Sequence, residues 1–169
     1  MNRTKNARKP EAEILLLLEE NARATPKEIA RATGISSTQV SAIVSRLERA
    51  GALRGYRAVV DWEKAGVESV YALVDVRVGL DRRAGYDAIA KRIAQFPEVR
   101  SLQLVSGDYD LSVVVRGPSM KEVAAFIADK IATLEQVRGT VTHFTLKRFK
   151  ENGELLFDAE KGKRLPVSA

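Results

Sequence analysis

Apolar positions in the first fifty residues recur at helical intervals. Ile14, Leu15, Leu17 and Leu18 give the stretch from Glu11 to Asn21 one apolar side, which predicts a first helix. Thr25-Pro26-Lys27-Glu28 then reads as a helix start, with Thr at the N-cap, Pro at the first helical position and Glu placed to close a capping box. Gly34 stops this second helix after Thr33. Ser36-Ser37-Thr38-Gln39 repeats the capping signal, and a third helix is expected from about Ser37 to Ala50, with Gly51 as its stop. Val40, Ile43, Val44 and Leu47 form its buried stripe. Three helices, the second and third joined by a tight glycine turn, make a helix-turn-helix pattern. Ala52 to Val60 is expected to form two short strands around Gly55, a wing, and Asp61 to Glu68 a linker pivoting at Gly66.

Beyond the linker the period changes to that of strands. Val70 to Val78 alternates, and Ala84 to Phe96 returns to helical spacing through Tyr86, Ile89, Ile93 and Phe96. Val99 to Val105 and Leu111 to Val115 predict two strands around Ser106-Gly107-Asp108-Tyr109-Asp110. Ser119 caps another helix, and Val137 to Phe149 is a strand rich in β-branched residues. The order βαββαβ specifies a ferredoxin-like split βαβ unit. The expected fold class is therefore α+β, an N-terminal winged helix-turn-helix followed by a ferredoxin-like effector domain. The expected divisions are a disordered basic arm over 1–10, a DNA-binding domain over 11–60, a hinge over 61–68, a sensing and oligomerisation domain over 69–150, and a polar tail over 151–169. Within the tail a short strand is expected at Leu155 to Phe157.

Charge sharpens this picture. The chain of 169 residues carries a net +6. Residues 1–57 hold eleven Lys/Arg against six Asp/Glu, and residues 58–169 hold seventeen against sixteen. The excess thus sits with the helix-turn-helix, where an anionic partner such as double-stranded DNA is expected. On the third helix the face opposite the buried stripe carries Thr38, Ser41, Ala42, Ser45 and Arg49, with Gln39 and Arg46 at its edge. Small hydroxyls and arginine suit the major groove, where Arg pairs bidentately with guanine. The capped helix starts at Ser36 and Ser37 offer backbone N–H groups to phosphate, and Lys27, Arg54 and Arg57 are expected on the DNA backbone. The plainer alternative for such a face is simple solvation.

Several classes fall away. With no cysteine there is no disulfide framework, thiolate nucleophile or cysteine-ligated metal. The single histidine, His143, cannot build an ordinary zinc site. No phosphate loop, nucleophile elbow or HExxH occurs. Ile14 to Leu18 is too short for a membrane span or signal core, so a cytoplasmic protein with no membrane partner is expected. No cofactor, metal or enzymatic activity is expected.

The joint order of several words resembles the Lrp/AsnC family of bacterial and archaeal regulators. They are Glu28-Ile29-Ala30, Thr33-Gly34-Ile35-Ser36, Val40, Arg46-Leu47-Glu48, Gly51-Ala52-Leu53-Arg54-Gly55-Tyr56-Arg57-Ala58, Gly107-Asp108-Tyr109-Asp110 and Thr140-x-Thr142. The match runs from about residue 11 to 150. The family's opening Leu-Asp-x-x-Asp is replaced by Arg8-Lys9-Pro10-Glu11-Ala12-Glu13. The resemblance implies a DNA-binding domain hinged to an effector domain, dimers formed by packing two sheets, and further assembly into octamers or other rings. It also implies a small-molecule effector, commonly an amino acid, near the hairpin, with Ser106, Gly107, Asp108, Tyr109 and Asp110 as its candidate contacts and Thr140 and Thr142 lining the same pocket.

Two readings of that hairpin stand side by side. Free backbone N–H groups at Gly107 with a carboxylate at Asp108 or Asp110 supply both halves of a zwitterion site, yet Gly-Asp is also ordinary turn chemistry. Two other functions stay open. Some proteins resembling the family are sirohaem decarboxylases with His and Arg around the equivalent hairpin, and Val105 to Asp110 has neither. The other is a metabolite-binding protein that no longer binds DNA, which the basic N-terminus disfavours.

Overall fold

A computed structural model of the chain describes residues 10–79 and 85–158. The expected arm over residues 1–9 and the end of the tail lie outside the described residues. The chain divides into two compact units: one runs through Val59 and includes Asn152–Glu154, and the other comprises the remainder from Val60 onward.

The first unit holds α1 (Pro10–Glu20), α2 (Pro26–Thr33) and α3 (Ser37–Arg49). Both capping boxes form. Thr25 accepts the Glu28 N–H while Glu28 reaches back to the Thr25 N–H, and Ser36 and Gln39 repeat the exchange. Each box satisfies donors that a helix start leaves orphaned. The bonds from Thr25 also hold the Glu28 carboxyl below the usual carboxylate range, the backbone N–H contributing most. Gly34 closes α2 in the left-handed region at φ 76°, the conformation that lets the chain turn sharply into α3. Ile14, Leu18, Ile29 and Val40 form the buried centre of this unit, with Ile43, Val44 and Leu53 packed against it.

The wing is where expectation and structure part. No strand forms over residues 52–60, and the segment runs on without a ladder. Leu53 is drawn to the core instead, and the N–H groups of Ala52 and Leu53 both donate to the Leu47 carbonyl. A ribbon of two strands this short is marginal without a third strand or a covering layer, so anchoring to α3 prevails.

The second unit is a four-stranded antiparallel sheet in the order β2-β3-β1-β4, with β1 (Val70–Val78), β2 (Val99–Leu104), β3 (Leu111–Gly117) and β4 (Val137–Phe144). Helices α4 (Gly85–Ala94) and α5 (Met120–Phe126) cover one face, and α5 continues into a wide π turn over Ile127–Ile131. Alternation decides the sides. Ala72, Val74, Val76, Leu111, Val113 and Val115 point into the core with Ile89, Ile93, Val123 and Ile131, while Tyr71, Leu73, Asp75 and Arg77 take the open face. This is the split βαβ arrangement the sequence pattern specifies.

Three boundaries differ. The segment Asp61 to Gly66, expected as a hinge, folds into hydrogen-bonded turns and groups with the sheet unit, its Trp62 ring stacked 4.0 Å from the Arg116 guanidinium. β4 ends at Phe144 rather than Phe149. Beyond it a small hairpin, β5 (Lys150–Glu151) and β6 (Glu154–Leu155), takes the place of a strand over Leu155 to Phe157. Asn152 and Gly153 turn it with φ of 45° and 91°, the paired positive values of a type I′ turn.

Candidate DNA-reading helix and sensing hairpin

Helix α3 presents the face expected of a reading head. Val40 and Leu47 are buried, Ile43 and Val44 half-buried, and Thr38, Gln39, Ser41, Ala42, Ser45, Arg46 and Arg49 are exposed. Ser36 and Gln39 use side-chain oxygens in the capping box, which leaves the Gln39 amide NH2 for an outside acceptor. Ser41 donates its hydroxyl to the Ser37 carbonyl at 3.0 Å, and Arg49 donates Nε to the Ser45 carbonyl at 3.2 Å. Arg46 is ion-paired with Glu11 of α1. Thr38 and Ser45 make no side-chain hydrogen bond among the described residues. Lys27 is exposed on α2, and Arg57 is exposed beyond Gly55. Arg54 folds its guanidinium back over Gly51, where a Cβ on that glycine would lie 3.2 Å from Cζ. The Tyr56 hydroxyl donates to Glu48 at 3.0 Å, fixing this segment against α3.

At the hairpin between β2 and β3 the polar groups are engaged internally. Asp110 accepts the Val78 N–H and the Tyr86 hydroxyl, each at 2.8 Å. These bonds, the backbone one foremost, hold its carboxyl below the usual carboxylate range, and the bond to Asp110 pushes the Tyr86 phenol up. Arg77 donates to the Asp108 carbonyl at 3.2 Å and sits 5.4 Å from the Tyr109 ring centre. Ser106, Gly107 and the Asp108 carboxylate remain exposed, with Gly107 at φ 131°.

Thr140 and Thr142 lie elsewhere. They pair across β1 with Val76 and Val74, on the helix-covered side of the sheet. Tyr109 and Arg77 belong to the open side. One chain therefore does not gather the whole predicted effector set into a single pocket; the sheet stands between its halves.

The comparisons with known proteins decide what this pairing of units is. Residues 11–54 match the model of a winged helix-turn-helix DNA-binding domain, and residues 71–155 match that of the Lrp/AsnC ligand-binding domain. The chain belongs to the Lrp/AsnC family. It is 45% identical over 159 residues to the HTH-type transcriptional regulator YugG of Bacillus subtilis, spanning 94% of this chain and 96% of the relative. Its fold matches the leucine response regulatory protein of Mycobacterium tuberculosis with a TM-score of 0.71 at 26% identity, over 88% and 99% of the two chains. It also matches a transcriptional regulator of Neisseria meningitidis in complex with L-Met, with a TM-score of 0.65 at 25% identity over 85% and 92%. The protein is accordingly a DNA-binding transcription regulator with a ligand-binding domain, in a family of regulators rather than of enzymes.

Within this Lrp/AsnC chain, the sequence reading missed the partners of the hairpin. Tyr86 and Arg77 come from α4 and β1, and only their nearness in the folded sheet ties them to Asp110 and Tyr109. It also missed a stack in which Arg116 lies over Trp62 and Tyr71, with the Arg148 guanidinium 4.2 Å from the Tyr71 ring centre. The lone tryptophan was the available signal. Beside this stack is a cleft of about 430 Å³ lined by residues of the Asp61–Ser69 segment, Tyr71 and Thr145–Arg148. His143 faces Asp75 at 3.2 Å on the open sheet face. Among the described residues no helix is long and apolar enough to cross a membrane.

Proposed function

We propose that this regulator reads DNA with α3 in the major groove, as a dimer, and that an amino acid held near the β2–β3 hairpin alters its operator affinity or its assembly. The observation that carries the first half is the exposed polar face of α3, double-capped at its start and ending on Arg46 and Arg49, in the third of the chain that holds the positive surplus. Thr38, Ser41, Ala42, Ser45 and Arg49 face bases. Ser36, Ser37, Gln39 and Arg46 border them, and Lys27, Arg54 and Arg57 contact phosphate. Two such heads in a dimer reach successive major grooves about one helical turn apart.

For self-association the support is the open sheet face, where Leu73 and Val141 are exposed and Val114 and Tyr71 half-buried. Packing two such faces buries apolar area that one chain leaves in water. For the effector, the support is the family's ligand-binding domain and the L-Met bound by the Neisseria relative. Ser106, Gly107 and Asp108 keep free polar groups for a zwitterion, while Asp110 and Tyr109 brace the turn; Thr140 and Thr142 join only when a second chain completes the pocket. A regulator of this kind works in the cytoplasm, where its DNA is.

The test is a gel shift on the protein's own upstream DNA at two salt concentrations, with and without a pool of amino acids. A shift that weakens with salt and changes with the pool is expected. A shift indifferent to every amino acid overturns the effector assignment, and failure to bind genomic fragments at either salt overturns the DNA-reading one.

A further inference from the structure

Charge within the DNA-binding part of the chain is divided unevenly. Residues 1–9 contain Arg3, Lys5, Arg8 and Lys9 and no Asp or Glu. Residues 10–57, which hold α1, α2, α3 and the segment after them, contain seven Lys/Arg against six Asp/Glu. The first nine residues therefore carry four of the five surplus charges of residues 1–57, and the folded helices are close to neutral.

The cations of the folded part are also partly engaged. Arg46 is ion-paired with Glu11, Arg49 donates Nε to the Ser45 carbonyl, and Arg54 lies over Gly51. Glu11 and Glu13 add negative charge in the first turn of α1. The gain from releasing the counterions of DNA scales with the number of phosphates neutralised, so a near-neutral head draws little from it.

The Glu11–Arg46 pair shows where the basic run joins the fold. Arg46 borders the reading face of α3, and Glu11 is the second residue of α1, so the chain enters α1 beside that face. Nine residues span up to about 30 Å, which approaches the length of one turn of DNA, about 34 Å. Phosphates on either side of the groove that α3 enters are within that reach.

We infer that residues 1–9 form a second DNA contact, in which Arg3, Lys5, Arg8 and Lys9 pair with backbone phosphates flanking the groove read by α3. The run supplies most of the sequence-independent hold, and α3 supplies the selection. This rests on the reading of α3 as the helix that contacts DNA.

The test is a titration of labelled operator and of an unrelated duplex between about 50 and 200 mM salt. It compares the full-length wild type with a variant carrying Arg3→Gln, Lys5→Gln, Arg8→Gln and Lys9→Gln. The first buried side chain after the run is Ile14, so the variant is expected to keep the wild-type circular dichroism and urea midpoint. Its affinity for both duplexes is expected to fall at least about tenfold, with the salt slope shallower by about 3 for each chain bound. The ratio of operator to unrelated affinity stays unchanged, whereas Arg49→Ala lowers that ratio. Arg3→Lys with Arg8→Lys, which keeps the charge, keeps the wild-type slope. A slope in the Gln variant within about 1 of the wild type, or a loss confined to the operator, overturns the inference and leaves the reading of α3 standing. A wild type that binds neither duplex overturns both.

Discussion

The reading helix and the hairpin use the same kinds of polar side chain in opposite ways. In α3 the backbone satisfies itself through the helix and its capping box, so Thr38, Ser45 and the guanidinium end of Arg49 are left facing outward. At the hairpin the chain reverses, and Asp110 is drawn to the end of the neighbouring β1, where the register with β4 shifts between Arg77 and Val78, to accept the Val78 N–H. A polar residue on a regular element is available to a partner, whereas one at a reversal is first claimed by its own chain. That contrast separates Asp110, which braces the turn, from Asp108, whose carboxylate is exposed beside it.

The contrast can be broken most forcefully at the core beneath the reading helix. Ile14 is fully buried in a small cluster, so Ile14→Ala should cost about 3 kcal/mol and abolish DNA binding. Because Trp62 belongs to the sheet unit, its fluorescence transition in urea should stay near the wild-type midpoint. A joint loss of both would mean that the units do not fold independently.

Next comes Asp110→Ala, which strands the Val78 N–H and the Tyr86 hydroxyl. It should lower the stability of the sheet unit by about 2 kcal/mol, read by the same fluorescence. The effect depends on pH with a definite sign. The folded carboxyl titrates below its ordinary value, so its contribution is present above that value, near 3.8, and is lost as pH falls through the folded one. Wild-type melting curves should therefore fall toward the variant's below about pH 4 and separate from them above it. Curves that run parallel would remove Asp110 from its bracing role.

On the reading face the effects are smaller. Arg49→Ala should weaken operator binding about tenfold, the loss of one bidentate contact. Arg46→Ala should weaken it less, because this side chain is held by Glu11. Titration of labelled operator distinguishes them, and the reverse ranking would mean that α3 is turned differently in the groove. Smallest is Gly34→Ala. Nothing crowds the site, so the cost is the left-handed backbone alone, about 1 kcal/mol in a urea melt.

Much of the architecture was legible because it is written locally. The two capping boxes, Gly34 and the alternation of Val70 to Val78 each announce their structure within a few residues. The wing was not legible, since Ala52 to Val60 has the right residue types but Leu53 is captured by the helical core. The hairpin at Asn152-Gly153 had its signal in that dipeptide, within a stretch read as tail. The candidate DNA face can be read from helical period alone. The candidate effector face cannot, because the folding of α4 and β1 against the hairpin brings Tyr86 to Asp110 and Arg77 to Tyr109, while strand order sets Thr140 and Thr142 across the sheet, and no local pattern encodes either.

The wide turn over Ile127–Ile131 has a consequence for how this chain can change. There the Ala132 N–H reaches back to Ile127, one residue further than an α-helix allows. Such a turn holds one residue too many while the helix keeps both ends seated, on Val123 and Phe126 before it and Ile131 and Leu134 after it. It is a place where length can vary without moving the layers. Deleting the exposed Ala128 should let the segment close into ordinary α-helix with the sheet undisturbed, whereas the same deletion inside β1 would turn its valines out into water.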